Sequence, residues 1–408
     1  MTTHTDDRTF YPHVPASVLL RHNARVLDPA TAVSAPGQPA PRSTVYRTDR
    51  LFVPDEVHRE SEQRTAVDAA LRTVNLRLAA APAEPGPATL EIVDSATPTV
   101  VDSWVALQAL HTAAASDPTV EKLVGDVRLV HLLFAATDPT TNEPGPYEPS
   151  GPKGAVRTLF SPPPEPDTER DARLAGPAVR RPVVAVVDSG DGPAADAGDR
   201  PTHGALVAGV LRRQAPLAAV RAIPVMHADG VVHEDELEGV LGDLVDAVAG
   251  AQSGGDAADM VDVVSLSLGY FHEHDRAGAE ASTIAAHIRS LTAMGVPVIA
   301  AAGNHATTRP YFPAALTAHL GDGDDPTPGL LSVGARESDR GVSGVGDDSG
   351  DWVRYLRPGA TGGATGSSFA VPVLAAELVS AMDPADPGDV DLGKTVRRAR
   401  AAVATLDL

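Results

Sequence analysis

The chain has 408 residues, with 33 Lys and Arg against 54 Asp and Glu, a formal charge of −21, and no Cys. That length exceeds one small core and implies a large domain beside a smaller one. The acidic balance excludes nucleic acid and anionic membrane as main partners, and the lack of Cys excludes disulfides, thiolate metal sites and Cys nucleophiles.

The opening Met-Thr-Thr-His-Thr-Asp-Asp-Arg has no basic segment followed by an apolar core, so it does not read as a signal peptide. No apolar run reaches the length of a membrane span, and the expected location is the cytoplasm. Residues 1–45 are rich in Pro, Ala and Thr without a sustained period, and predict an extended arm. From 46 to 136 the pattern tightens. Residues 51–53 read as a strand, and Ala66, Val67, Ala70, Leu71 and Val74 follow at helical spacing. Residues 76–78 and 89–93 alternate as strands. A helix capped by Asp102 or Ser103 carries Trp104, Leu107, Leu110 and His111, and residues 127–134 close the set as a strand. The order β-α-β-β-α-β predicts a smaller α+β, ferredoxin-like domain. Residues 137–181, dense in Pro, predict an exposed linker.

Beyond 181 the texture becomes α/β. Apolar strands at 183–187, 220–225, 261–268 and 296–302 alternate with helical stripes on Leu206–Leu211, Leu237–Val248 and Ile284–Leu291. Unbroken apolar strands alternating with helices predict a parallel, doubly wound sheet, which carries its site at the carboxyl ends of its strands.

Four motifs lie at such ends or at helix starts. Val-Val-Ala-Val-Val-Asp188 puts a carboxylate at the end of a buried strand, and Thr-His203-Gly puts an imidazole at the start of a helix. Ala-Ala-Ala302-Gly303-Asn304 ends a strand in an amide. Residues 363–372, Gly-Ala-Thr-Gly-Ser-Ser368-Phe-Ala-Val-Pro, set a hydroxyl on a tight Gly-rich turn before an apolar helix. There Gly362, Gly363 and Gly366 free the backbone, and the helix N-terminus favours negative charge. A Ser, His, Asp and Asn in these settings are the types that nucleophilic acyl transfer needs: a hydroxyl, a base, an acid to orient the base, and a donor for an oxyanion. Each motif alone also fits a cap, a core histidine or a turn.

Taken together and in this order, the motifs resemble the subtilisin-like serine peptidases over about residues 180–385. The resemblance implies a parallel doubly wound sheet of subtilisin-like type in residues 182–408. Ser368 then matches the nucleophile, His203 the general base and Asp188 its orienting acid. Asn304 and the Ser368 N–H match the oxyanion hole. Ser265, Leu266, Ser267, Leu268 and Gly269, with Ala301 and Gly303, match the substrate-binding strand and pocket, which binds peptide by strand addition. Ser367 stands where the family usually has Thr, and Ala205 and Leu206 replace its usual residues after His-Gly. Only fourteen residues separate Asp188 from His203, which implies that the family's calcium loop here is missing, although Asp191, Asp196 and Asp199 form an acidic loop.

The expectation is a serine endopeptidase without cofactor or metal, restrained inside the cell by an N-terminal domain resembling the family's propeptides. Residues 135–149 are the expected occupant of its groove, and a permanent accessory domain is the alternative for 46–136. The expected partners are a peptide or protein substrate and the chain's own N-terminal domain, with no nucleic acid and no membrane, in a monomer. Two other readings remain open: a peptide-binding module that does not cut, and an esterase on the same nucleophile.

Overall fold

The computed structural model describes residues 12–59, 61–80, 86–135, 179–191, 201–274, 276–305, 307–317, 329–336, 350, 352–361, 364–383, 385–386 and 388–406. Most of residues 137–181, with Asp196, Asp199, Gly362 and Gly363, lie outside them. No helix among the described residues is long and apolar enough to cross a membrane.

The N-terminal part runs α1 (Ala16–Arg21), β1 (Ala24–Val26), β2 (Val45–Phe52), α2 (Asp55–His58), α3 (Glu62–Arg72), β3 (Leu76–Leu78), β4 (Ala88–Ile92), α4 (Ser103–Ala114), α5 (Pro118–Val124) and β5 (Arg128–Ala135). Composition alone reads an extended arm before residue 46. The described part of that arm instead holds α1 and β1, because β1 pairs with β2 and so satisfies backbone that Pro-rich sequence leaves open. Four strands pair antiparallel in the order β5-β2-β4-β3. Asp102 caps α4 by accepting the Trp104 N–H at 3.0 Å, and Asp117 caps α5 in the same way. Leu51, Leu71, Leu76, Leu110 and Leu129 are almost fully buried in the core between sheet and helices.

The second part continues with β6 (Val183–Asp188), α6 (His203–Gln214), β7 (Ala219–Pro224), β8 (Val231–His233), α7 (Glu234–Gln252), β9 (Val263–Leu266), β10 (Leu268–Gly269), α8 (Arg276–Glu280), α9 (Thr283–Ala293), β11 (Val298–Ala301), β12 (Leu330–Arg336), β13 (Tyr355–Pro358), a short hairpin of β14 (Ala360–Thr361) and β15 (Ala364–Thr365), α10 (Ser367–Ala381) and α11 (Leu392–Val403). Six strands form a parallel sheet in the order β13-β12-β11-β9-β6-β7. This parallel sheet with its helices is consistent with a subtilisin-like α/β fold. From β6 the chain steps outward to β7, then returns to β9 on the other side of β6. Right-handed crossovers then put α6 on one face and α7 and α9 on the other. Accordingly α6 packs on α10, and α7 on α9. The switch in direction falls between β6 and β9, where such sheets open a crevice at the strand ends.

One expected strand is two. The apolar run 261–268 reads as a single strand, but β9 ends at Leu266 inside the parallel sheet and β10 belongs to another sheet. Its partner is β5. Leu268 pairs with Ala135 and Gly269 with Phe134, antiparallel, while Leu132, Leu133 and Phe134 pair on the other side with β8. The last strand of the N-terminal part is thus held between two strands of the second part. Alternation divides its side chains: Leu129 packs in the N-terminal core, Leu133 and Ala135 in the core of the parallel sheet, and Leu132 and Phe134 in a small cluster with Val45 and Val231.

Candidate active site

Strand β6 is apolar until its last residue. There Asp188 is 1% exposed and accepts the Ser189 N–H at 2.7 Å through Oδ1. Both Asp188 oxygens lie 2.9 Å from Nδ1 of His203. His203 opens α6, capped by Thr202, whose hydroxyl accepts the Ala205 N–H and donates to the Gly190 carbonyl, each at 3.1 Å. The Gly204 N–H donates to Ser189 Oγ at 2.9 Å, binding helix start to strand end. No larger residue fits at 204, since a Cβ there would stand 2.3 Å from the Gly190 carbonyl oxygen and 3.1 Å from Asp188. The contact that orients His203 therefore depends on this glycine. Nε2 of His203 is buried and has no hydrogen-bond partner among the described residues.

The Gly-rich hairpin delivers Gly366, with φ 144°, to the N-cap of α10. Ser368 is the second residue of that helix, among the N–H groups that lack an intrahelical acceptor. Its hydroxyl donates to the Ser267 carbonyl at 3.2 Å, and the Ser267 hydroxyl donates back to the Ser368 carbonyl at 3.0 Å. Phe369 follows it, with its ring centroid 5.7 Å from that of His203. Phe369, the residue after Ser368, thus lies beside His203 across the α6–α10 contact, and the Ser368 hydroxyl is turned to Ser267.

Asn304 follows β11 through Gly303, whose φ is 103°. Its Oδ1 accepts the Ser367 N–H at 2.8 Å. The Ser367 hydroxyl donates to the Gly303 carbonyl and accepts the Gly303 N–H, both at 3.1 Å. Ser367 therefore ties the turn carrying Asn304 to the helix carrying Ser368.

The remaining predicted residues separate into two groups. Leu268 and Gly269 line the strand slot occupied by β5, and Ser267 joins that slot to Ser368. Ser265 and Leu266 pair with β6 and β11 inside the parallel sheet, and Ala301 pairs with β12, so these three are interior. Asp191 is bound to Arg212 at 2.6 Å.

No family profile and no curated protein matches the chain in sequence. Among solved structures it is similar to a lanthipeptide protease (17% identity, 50% of this chain and 73% of that one, TM-score 0.37). It is also similar to the prenylagaramide maturation protease PagA (21%, 54% and 84%, 0.38) and to the self-cleaved protease domain of PatA (19%, 53% and 91%, 0.34). At these TM-scores the overlaps bear no weight for fold or chemistry, which rest on the residues themselves.

Sequence reasoning missed the groups that hold β5 in place. His131 is 1% exposed, with Nδ1 2.6 Å from Glu234 Oε2 and Nε2 2.6 Å from Glu273 Oε2. Burial alone would lower its pKa, but the charges of Glu273 and Glu234 and their hydrogen bonds raise it to about 10. Against the same burial, His131 and Arg128 hold Glu234, and His272 and His131 hold Glu273, below the usual carboxylate range. Arg128 adds an ion pair to Glu234 at 3.2 Å. The available signals were the dense His233-Glu234-Asp235-Glu236 and His272-Glu273-His274 runs, and a histidine amid the apolar residues of β5.

Proposed function

We propose that the chain is a subtilisin-like serine endopeptidase whose N-terminal, ferredoxin-like domain acts as an attached inhibitor of the propeptide kind. One observation carries the reading: Asp188 holds His203 through Nδ1, leaving a buried, unpartnered Nε2 beside the residue that follows Ser368. An imidazole so fixed is placed to act as a general base.

In the reaction, the Ser368 hydroxyl rotates from the Ser267 carbonyl to His203, gives its proton to Nε2 and bonds to the scissile carbonyl carbon. The Asp188 carboxylate stabilises the imidazolium. The Asn304 amide and the Ser368 N–H receive the oxyanion. On collapse the C–N bond breaks and Nε2 returns the proton to the leaving amine; water then hydrolyses the acyl-enzyme by the same route. The β8 and β10 edges suit an extended peptide, since both bond a strand along its backbone. That favours a peptide over a simple ester and supports the inhibitor reading, because β5 takes this slot from a substrate.

The register suits a cut in the chain that follows Ala135, because Leu268 pairs with Ala135 and the adjacent Ser267 holds Ser368 through its carbonyl. The expected self-cleavage lies between about residues 135 and 181. Mass spectrometry of purified wild type should find that cut, and Ser368→Ala should stay full length. Cleavage at one site in both proteins would reject the proposal.

A further inference from the structure

Two groups of ligand-type side chains lie outside the triad. One, His131 with His272 and Glu273, is closed, because both His131 nitrogens are taken by carboxylates. The other is not. His22 caps the end of α1, His227 opens the turn that enters β8, and His233 is the last residue of that strand. Their ring centroids form a near-equilateral triangle, 5.1 Å from His22 to each partner and 4.9 Å between His227 and His233. One nitrogen of each ring lies within 4.8 Å of the other two.

The hydrogen bonds give the rings a direction. Nδ1 of His22 faces Nε2 of His233 at 2.9 Å. The opposite nitrogens meet carboxylates: His22 Nε2 lies 2.9 Å from Asp229, and His233 Nδ1 3.4 Å from Glu236. Nε2 of His227 lies 3.0 Å from the other Glu236 oxygen. Arg47 stands 3.5 Å from His233 Nδ1 and is itself paired with Asp49.

Two imidazole nitrogens facing at that distance share a single proton, and a dication can replace it. Nitrogens on a tetrahedral zinc, bound at about 2.0–2.1 Å, lie ~3.3 Å apart. The facing pair needs only a small opening, and the exposed His227 ring closes in from the solvent side. Histidines that ligate metals hand their outer N–H to a carboxylate, as Asp229 and Glu236 are placed to accept here. Imidazoles select zinc-like ions over magnesium or calcium.

We propose that His22, His227 and His233 bind one transition-metal dication of the zinc class, with Asp229 and Glu236 supporting the rings. The ion clamps the N-terminal segment to the turn of β8, one wall of the slot that holds β5. This site is independent of the peptidase chemistry.

The test uses the full chain carrying Ser368→Ala, so that the N-terminal part stays attached. Cobalt titration should saturate at one equivalent with the visible bands of tetrahedral Co²⁺, and zinc should displace them. His227→Ala, at an exposed position, should abolish the bands while leaving the metal-free melting temperature unchanged. Asp229→Asn should weaken binding about 10–100-fold. No saturable spectrum, or a spectrum that survives both His227→Ala and His22→Ala, would overturn the proposal.

Discussion

Replacing His131 with Ala should free β5 from its slot. The substitution removes the imidazolium between Glu234 and Glu273, both buried, while Glu234 keeps Arg128 at 3.2 Å and the His131 backbone N–H at 2.9 Å. Glu273 loses its 2.6 Å partner and keeps only the longer contact to His272 Nδ1 at 3.4 Å among the described residues. Breaking a buried ion cluster from one side costs about 3–5 kcal/mol, because a desolvated charge remains. A single pair at 4 Å is worth about 4 kcal/mol at an effective dielectric of 20, in keeping with that range. At 1.4 kcal/mol per tenfold, β5 should open about 10²–10⁴-fold more often. Hydrogen exchange of a peptide covering residues 128–135, in the Ser368→Ala chain, reads this as lost protection. Adding Glu273→Gln should restore part of it, since no charge is then stranded. A fall of less than tenfold, or no recovery in the double variant, would refute the ion-cluster account.

The remaining predictions concern pH and the catalytic framework. His131 has a raised pKa, about 10 against an ordinary 6.5, so its grip is full below pH 6.5 and fades as pH rises through 10. Glu234 and Glu273 have lowered values, so theirs is present above an ordinary 4.5 and fades as pH falls through their folded values. Glu238, pushed up from 4.5 to about 7 by burial and the Glu234 charge, adds a penalty that accrues between those two pH values. Exchange protection of β5 should thus peak between about pH 4.5 and 6.5; a rise toward pH 9 would contradict the signs. Asn304→Ala should lower kcat by about 10²–10³ with little change in KM, measured on a peptide substrate, whereas a KM effect alone would make it a ground-state contact. Gly204→Ala should lose most turnover, because its Cβ meets the Gly190 carbonyl and displaces the strand end that holds His203. Near-normal kcat in that variant would dismiss the packing argument. Ser367→Ala should keep a reduced activity, as its backbone N–H still binds Asn304 while the bonds to Gly303 are lost.

Much of the parallel sheet was legible because its determinants are local. Residues 183–187 are apolar without interruption, and the Asp that ends them can only lie at a strand end. Glycines at 204, 303 and 366 marked the places where backbone passes close or turns left-handed. The break at Ser267 was hidden, since a buried parallel strand and an edge strand lining a slot are both apolar. Likewise β1 and β8 owe their form to partners distant in sequence, β2 and β5, not to any period of their own. The ion cluster was the least accessible part. His131, Glu234 and Glu273 come from separate stretches, and each reads alone as a core or surface residue until β5 brings them within 2.6 Å.

The central claim is that Ser368 is a nucleophile activated by His203. Labelling with a fluorophosphonate, followed by peptide mass spectrometry, tests it most directly. The adduct should appear on Ser368 in wild type, form faster in His131→Ala as the slot opens, and be absent in His203→Ala. An adduct on Ser367, or equal labelling with and without His203, would contradict the account.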